Sequence, residues 1–182
     1  MAPKQFWIAC FCLGMLLCCP PAGRAGPPDK GSTLPAFTLP RPTARADVEY
    51  LGISAPAFAL GDVSADAVLV EILGVYCPRC REQAPLFNAL LARLEKGELK
   101  GRVKMIGIAA GATPMEVAMV RKEWKIRHPV LPDESFEVHK LLGEPQTPFI
   151  LLVDRKGRVL YAHTGVLKDM DAFYQLIKTT VR

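Results

Sequence analysis

A short apolar run placed directly before a pair of cysteines is the feature that most restricts the fold of this chain. The run AVLVEILGV, residues 67–75, is nearly uninterrupted and rich in β-branched residues. Such a run is typical of a strand that is buried on both faces. Cys77 and Cys80 follow in the stretch GVYCPRCREQAP, and Pro78 suits the first position of a helix. The sequence therefore predicts that a buried strand passes almost directly into a helix here.

The residues after this point continue with a helical pattern. Phe87, Leu90, Leu91 and Leu94 fall on one face of a helix predicted over residues 78–95, with arginine and glutamate on the opposite face. Farther along, RVKMIGIAA has the composition of a second buried strand.

The later elements also carry recognisable signals. Thr113, Pro114 and Glu116 have the spacing of a helix N-cap, first helical position and capping box. The segments PFILLVD and RVLYAHT are joined by DRKG as in a hairpin, and DMDAFYQLIKTTV closes the chain as an amphipathic helix. This alternation predicts an α/β fold with a central mixed sheet flanked by helices. The similar phrases LPAFTLP and APAFALG predict an N-terminal strand or hairpin extension.

The start of the chain resembles an export signal. A basic start is followed by the short apolar run FWIACFCLGMLLCC, which is too short for a membrane-spanning helix of roughly 20 residues. We expect residues 1–25 to be a signal peptide cleaved after Ala25, residues 26–46 to be a flexible tether, and residues 47–182 to form one domain. An uncleaved segment that anchors the protein to a membrane is a less favoured alternative. So is a lipoprotein attached through Cys18 or Cys19, because neither cysteine follows glycine or alanine.

Export would place the domain in the periplasm or another compartment where disulfides persist. Cleavage would remove Lys4, Arg24 and no acidic residue, which lowers the formal net charge from +5 to +3. The remaining basic residues are interspersed with acidic ones, so we expect neither nucleic-acid binding nor insertion into a lipid bilayer after cleavage.

Three kinds of site are compatible with two cysteines at this spacing. A structural disulfide here would close so small a loop that it would contribute only about 2 kcal/mol. A closed zinc site needs four ligands, and the predicted mature chain has no third cysteine. The three histidines are scattered, and His128 and His139 are expected to be exposed or hydrogen-bonded. A copper-type site with two cysteines and one histidine, His163 or another, stays open as an alternative.

A redox pair fits the position best. Cys77 is predicted to lie at a helix N-terminus, where free backbone N–H groups and the helix dipole stabilise a thiolate. Arg79 and Arg81 add positive charge nearby. Cys80 lies one turn farther into the helix, within bonding distance of Cys77 but less exposed. Thiol–disulfide exchange needs this inequality, because one sulfur attacks and the other resolves the mixed disulfide.

The stretch LVEILGVYCPRCREQAP, with SAPAFAL before it and TPFILLVD after it, resembles the thioredoxin superfamily, most closely its exported TlpA/ResA-like branch. The resemblance covers roughly residues 55–182 and implies a thioredoxin-like fold. It also implies that the Thr147–Pro148 bond is cis, lies beside the cysteine pair and presents backbone to a bound partner. The residues predicted to bind partners are Tyr76, Pro78, Arg79, Thr147 and Pro148.

Two positions depart from the pattern of this branch. Glu71 occupies a position that is often asparagine in TlpA-like proteins, whereas thioredoxin itself has an acid there. We expect a buried carboxyl with a raised pKa at Glu71, able to carry the proton of Cys80. Gln83 stands where cytochrome-maturation reductases often have glutamate, which weakens any transfer of their specificity to this chain.

The sequence therefore predicts an exported thiol–disulfide oxidoreductase whose redox-active disulfide joins Cys77 and Cys80, with no cofactor or metal. Its partners would be cysteine-containing proteins and a membrane or soluble redox partner, with reduction of partners somewhat favoured over oxidation. The alternatives are a copper-type metal-delivery protein and a peroxide-reducing redoxin. Peroxiredoxins usually place threonine at the position of Gly74, which argues against the last.

Overall fold

A five-stranded mixed sheet forms the centre of the protein, in the order β5-β4-β3-β6-β7. The computed structural model describes residues 26–181. The strands of this sheet are β3 (Ala67–Leu73), β4 (Val103–Ala110), β5 (Val130–Asp133), β6 (Phe149–Asp154) and β7 (Val159–Thr164). Strands β3, β4 and β5 are parallel, whereas β6 is antiparallel to both β3 and β7. This arrangement confirms the predicted α/β class with a central mixed sheet.

Strand β3 occupies the middle of the sheet, and every one of its residues is buried. It pairs with β4 on one side and β6 on the other, so its backbone hydrogen bonds are formed within the sheet on both sides. A strand covered on both faces has no need to alternate apolar and polar residues. The apolar run in the sequence is explained by this position.

Helices cover both faces of the sheet. The helices are α1 (Arg45–Leu51), α2 (Pro78–Leu94), α3 (Pro114–Glu123), α4 (Glu137–Leu141) and α5 (Met170–Thr180). Helices α2 and α5 pack on the face that carries Leu69 of β3. The opposite face, which carries Val68 and Val70, is covered by α1, α4 and the segment before β1. Residues of α3 join a third apolar cluster, which contains Cys80.

Several local predictions are confirmed. Helix α3 begins with the expected capping box: Thr113 Oγ1 accepts a hydrogen bond from the Glu116 N–H at 3.3 Å, and Glu116 Oε2 accepts one from the Thr113 N–H at 2.8 Å. The hairpin between β6 and β7 turns at Asp154, whose carboxylate accepts hydrogen bonds from two backbone N–H groups of the turn. The closing helix α5 is present as well.

The N-terminal extension is a small antiparallel pair formed by β1 (Leu39–Pro40) and β2 (Ala57–Phe58). The two strands lie in the two similar sequence phrases, which therefore pair with one another. Helix α1 lies between them and was not anticipated. The domain boundary after residue 46 stays a prediction. From Gly31 to Leu34 the preceding segment forms backbone hydrogen bonds with Gly157 and Val159, contacts that the tether prediction did not include.

The predicted signal peptide, its cleavage after Ala25 and the alternative lipid attachment at Cys18 or Cys19 all lie outside the described residues. Between residues 26 and 181, no helix has both the length and the apolar composition needed to cross a membrane.

The packing of α2 on the sheet generates a prediction for Leu90, a residue of α2 whose side chain is fully buried in the cluster with Leu69 of β3. Leu90→Ala removes buried methyl groups and leaves a cavity, so we expect the free energy of unfolding to fall by about 2–5 kcal/mol. Urea unfolding followed by far-UV circular dichroism measures this change. Leu141→Ala in α4 is the matched control: Leu141 is 50% exposed, and we expect a loss of less than about 1 kcal/mol. Equal losses in the two variants would contradict the assigned packing of α2.

Candidate active site

The junction between β3 and α2 places the cysteine pair at the end of the central strand. Strand β3 ends at Leu73, and Cys77 is the N-cap of α2. The Cys77 N–H donates to the Gly74 carbonyl at 3.0 Å, which closes a tight turn. A Cβ atom at Gly74 would lie 3.4 Å from both Cys77 Cβ and Thr147 Oγ1. At this distance a Cβ atom would make ordinary van der Waals contacts, so Gly74 lies beside both the cysteine turn and the Thr147 segment without a steric need for glycine.

The two cysteines carry free thiols in very different surroundings. Cys77 is partly exposed, and its sulfur accepts a hydrogen bond from the Cys80 N–H at 3.3 Å, as expected of a helix N-cap. Partial burial acts to raise the pKa of Cys77, but hydrogen bonds from the Cys80 thiol, Thr147 and the backbone at Cys80 and Arg79 outweigh it and lower that pKa.

Cys80 lies one helical turn farther in and is only 1% exposed. Burial is the main cause that raises the pKa of its thiol well above the ordinary value, and the neighbouring Cys77 sulfur raises it further. At neutral pH, Cys77 is therefore the sulfur more readily ionised, and Cys80 retains its proton. The positions of the two sulfurs make the pair chemically unequal, as the sequence predicted.

The segment before β6 brings a second part of the chain to Cys77. The Thr147–Pro148 peptide bond is cis. The Cys77 thiol donates to the Thr147 carbonyl oxygen at 3.5 Å, although the two residues are 70 positions apart in sequence. Pro148 is buried, and its carbonyl accepts a hydrogen bond from the Gly165 N–H at 2.8 Å. The backbone of Thr147 thus lies directly beside the reactive sulfur.

The other residues predicted to bind partners surround Cys77 on the surface. Pro78 and Arg79 are exposed at the start of α2. Tyr76 is 79% exposed, and its hydroxyl donates to Glu116 Oε1 at 2.6 Å. This bond connects the cysteine turn to the first turn of α3. The structure therefore brings seven of the eight predicted site residues to one end of the sheet. The eighth, Glu71, lies in the interior behind them.

Glu71 is buried in the middle of β3, with 3% of its surface exposed. Its side chain is on the same face as Leu69 and Leu73, the face that packs against α2. Removal from water is the main cause that raises the pKa of Glu71 to about 8, and the nearby Cys77 sulfur adds to the rise. The carboxyl is therefore protonated at neutral pH, in agreement with the direction expected from the sequence.

His128 is a residue of this region that the sequence interpretation placed wrongly. It was expected to be exposed or hydrogen-bonded, but it is 1% exposed, and neither ring nitrogen has a hydrogen-bond partner among residues 26–181. Its Nε2 atom lies 3.9 Å from Oε2 of Glu71. Burial, followed by the charge of Arg121, lowers the pKa of His128 to about 3, so the ring is neutral. His139, by contrast, has Nε2 3.0 Å from the Pro145 carbonyl oxygen, as expected.

The side-chain amide of Gln83 both donates to and accepts from the backbone of Leu167. Its side-chain carbonyl accepts from the Leu167 N–H at 2.7 Å, and its NH2 group donates to the Leu167 carbonyl at 3.5 Å. A glutamate here could accept but, when ionised, could not donate. The amide therefore ties α2 to the segment between β7 and α5.

The described part of the chain offers no cluster of three or more histidine, cysteine, aspartate or glutamate side chains that could hold a metal ion. His163, a candidate third ligand in the copper-type alternative, lies on β7 and stacks against Tyr161 at a ring-centroid distance of 6.3 Å.

Comparisons with known proteins agree with this geometry. The family model described as Redoxin matches residues 29–176. The thiol-disulfide oxidoreductase ResA of Bacillus thuringiensis is 28% identical over 107 residues, which is 58% of this chain and 59% of that protein. The ResA of Geobacillus thermodenitrificans is 23% identical over 131 residues, covering 66% of this chain and 73% of the relative. The chain thus spans about three fifths of the Bacillus protein.

Solved structures show the same fold. A proposed thiol:disulfide interchange protein DsbE from Chlorobium tepidum superposes with a TM-score of 0.67 at 24% identity, covering 85% of this chain and 99% of that chain. StoA from Bacillus subtilis superposes with a TM-score of 0.59 at 15% identity, covering 80% and 98% of the two chains. These similarities confirm the predicted thioredoxin-like fold.

The burial of Glu71 predicts a specific pH dependence of stability. The carboxyl holds its proton up to about pH 8 in the folded protein but only to about pH 4.5 when unfolded. Between these values the folded state binds more protons, so the free energy of unfolding falls as the pH rises. Glu71→Gln cannot titrate. We therefore expect its stability relative to wild type to grow by about 1 kcal/mol per pH unit over this interval.

Urea unfolding of both proteins at several pH values between 4.5 and 8 measures this difference. The titration of His128 is common to the two proteins and cancels. Glu123→Gln is the matched control, because this carboxyl is exposed at the end of α3 and lies in water in both states. A constant difference between Glu71→Gln and wild type would show that Glu71 ionises in the folded protein as it does in the unfolded chain.

Proposed function

The chain belongs to the Redoxin family, and on that premise we propose that it is a thiol–disulfide oxidoreductase that exchanges disulfides with cysteines of partner proteins. The observation that carries this proposal is the inequality of the two sulfurs. Cys77 is partly exposed with a lowered pKa, and Cys80 is buried with a raised one, one turn apart at the start of α2. The similarity to ResA proteins supports the same activity.

The proposed exchange begins with the Cys77 thiolate. It attacks one sulfur of a partner disulfide, so that a bond forms between Cys77 and the partner and the second partner sulfur leaves as a thiolate. In the minority of molecules whose Glu71 carboxyl is ionised at neutral pH, Cys80 then gives up its proton to that carboxylate and attacks the Cys77 sulfur. A Cys77–Cys80 disulfide forms, and the remaining partner sulfur leaves as a thiolate. Two electrons pass from the dithiol to the partner, and the reverse sequence oxidises a partner dithiol.

The partner is proposed to lie across Cys77, against the backbone of Thr147 and Pro148. The Thr147 carbonyl is already within reach of the Cys77 sulfur, so a bound chain could follow the same edge of the site. Tyr76, Pro78 and Arg79 would contact the partner from the other side. These surface groups form the proposed recognition site for cysteine-containing proteins.

We place this activity in an exported compartment, the periplasm in a bacterium with two membranes, on the basis of the signal-like residues 1–25. Partner proteins there would be reduced, and a membrane or soluble redox protein would return electrons to the Cys77–Cys80 disulfide. No cofactor takes part in the proposed exchange.

The two cysteines should respond differently to replacement by serine. Cys77→Ser removes the attacking sulfur and should abolish reduction of a disulfide-bonded substrate such as insulin. Cys80→Ser retains the first step but cannot resolve it, so we expect a stable mixed disulfide between Cys77 and the substrate. Non-reducing electrophoresis and mass spectrometry detect this species, which a reductant should release. Wild-type turnover by Cys80→Ser would contradict the two-cysteine mechanism.

The proposed direction of electron flow predicts the reduction potential. Potentials of related dithiols extend from about −270 mV in thioredoxin to about −120 mV in DsbA. For a protein that reduces its partners we expect a value nearer the first. Equilibration of residues 26–182 with glutathione buffers, approached from the reduced and the oxidised protein, measures it. A value near the oxidising end would reverse the proposed direction but leave the exchange chemistry intact.

A further inference from the structure

The buried imidazole of His128 has no role in the exchange described above, yet it lies against the carboxyl that is proposed to carry the Cys80 proton. A buried polar side chain normally has a hydrogen-bond partner, because an unpaired one costs free energy. His128 has none at either ring nitrogen within the described residues, and its Nε2 atom faces Glu71 Oε2 at 3.9 Å. The pair therefore lies about 0.7 Å beyond the usual upper limit of an N–H···O hydrogen bond, which is about 3.2 Å.

We propose that His128 is a positioning residue for Glu71: its neutral ring donates the Nε2–H to the Glu71 carboxylate whenever that carboxyl is ionised. This inference rests on the proposed role of Glu71 in the proposed function. The proposed bond requires the Glu71 carboxyl to move toward the ring and close the remaining gap, and catalytic hydrogen bonds are commonly long in structures without substrate. The bond would form in the state in which Glu71 is ready to accept a proton.

The backbone explains how the two side chains reach one another. Glu71 pairs with Gly107 of β4, which in turn pairs with Val130 of β5, and His128 precedes Val130 by two residues. Gly107 has no side chain to project from β4 between them. A Cβ atom there would lie 2.9 Å from Leu73 Cδ2 and 3.0 Å from Val130 Cγ2. Leu73 and Val130 therefore fill the space above Gly107, and the register of the three strands brings His128 and Glu71 to the same region of the sheet.

The groups around His128 favour a neutral ring that donates a hydrogen bond over a protonated, positively charged ring. Phe87 of α2 packs edge-on against the ring of His128 at a centroid distance of 6.3 Å and contributes no charge. Arg121 of α3 opposes a positive ring, although its charge is paired with Asp47. On the Glu71 side, the Cys77 sulfur at the start of α2 opposes a carboxylate. Complete proton transfer from Glu71 to His128 would also create a buried ion pair, which is costly to desolvate.

A hydrogen bond to the charged form of a carboxyl favours that form. With the His128 donor present, Glu71 ionises at a lower pH than it would beside an apolar residue. More of the protein then has a carboxylate ready when Cys80 must lose its proton. His128 thus acts on the rate of resolution through Glu71, without contacting either sulfur.

The pH dependence of the resolving step tests this role. Reduced protein is mixed with oxidised glutathione between pH 5 and 9.5, quenched with acid, and the Cys77–glutathione mixed disulfide is followed by mass spectrometry. Wild type should show an inflection due to Glu71, which Glu71→Gln removes. His128→Phe should move this inflection up by about one pH unit, so that resolution is about tenfold slower at pH 7. His128→Gln, which keeps an N–H donor, should restore most of the rate.

Two comparisons separate this role from a purely structural one. First, the attack of Cys77 on glutathione, which needs no Glu71, should change less than about twofold in His128→Phe. Second, His128→Phe should have no further effect on resolution in a Glu71→Gln background. An unchanged inflection in His128→Phe, or equal slowing in both backgrounds, overturns the proposal. If Glu71→Gln itself keeps the wild-type inflection, the proposed role of Glu71 fails as well. The proposed oxidoreductase function is tested separately: it would still be supported if Cys77→Ser loses all exchange.

A further measurement uses only the wild-type protein, so its result does not depend on whether a variant folds. Nitrogen-15 chemical shifts of the His128 ring report which nitrogen carries the proton. We expect the neutral Nε2–H form throughout pH 5 to 9, with an Nε2 shift that follows the carbon-13 titration of the Glu71 carboxyl. A ring protonated at Nδ1 alone, or a ring indifferent to the Glu71 titration, would overturn the proposal.

Discussion

The register of β3 within the sheet is the constraint on which the whole site depends. Because β3 is hydrogen-bonded to β4 and β6, it cannot shift by one residue without reversing the face of every side chain. Such a shift would turn the side chains of Leu69, Leu73 and Glu71 to the opposite face of the sheet, away from α2. The apolar packing that stabilises the strand therefore also holds the carboxyl behind the cysteines and delivers Cys77 to the start of the helix.

Two opposite environments lie within one turn of α2. At its N-terminus, hydrogen-bond donors and the helix dipole stabilise a charge on Cys77. At Cys80, the apolar cluster formed with α3 disfavours any charge. The Thr147 backbone, fixed by the antiparallel pairing of β6, then reaches the exposed sulfur. A strand end, a helix start and one distant loop are enough to make two identical side chains chemically unequal.

The features that followed from the sequence are those set by local patterns. The sequence contains an apolar run or a turn signal for each of three features: the burial of β3, the start of α2, and the hairpin of β6 and β7. Glu71 was recognisable from the resemblance to the thioredoxin superfamily, because it stands at the position where thioredoxin has an acid. His128 was not, since it lies in the irregular stretch KIRHPV and packs against Phe87 of α2, a residue from a distant part of the sequence. Helix α1 was missed for a similar reason: Asp47 is held by two hydrogen bonds from Arg121, 74 positions away.

When the cysteine pair is oxidised, the buried region behind it loses a proton, and a charge left on Cys80 in that region would be unfavourable. Oxidation removes the proton of Cys80, and the raised pKa of that thiol means that a free buried thiolate beside Cys77 is disfavoured. The proton must therefore move as the new sulfur–sulfur bond forms. In the proposed exchange, the ionised carboxyl of Glu71 in the strand below receives it, but such a buried acid lowers stability once the pH exceeds its ordinary range. The apolar residues of β3 act in the opposite direction, because all of them are buried and their removal from water stabilises the fold that keeps the titrating group inside.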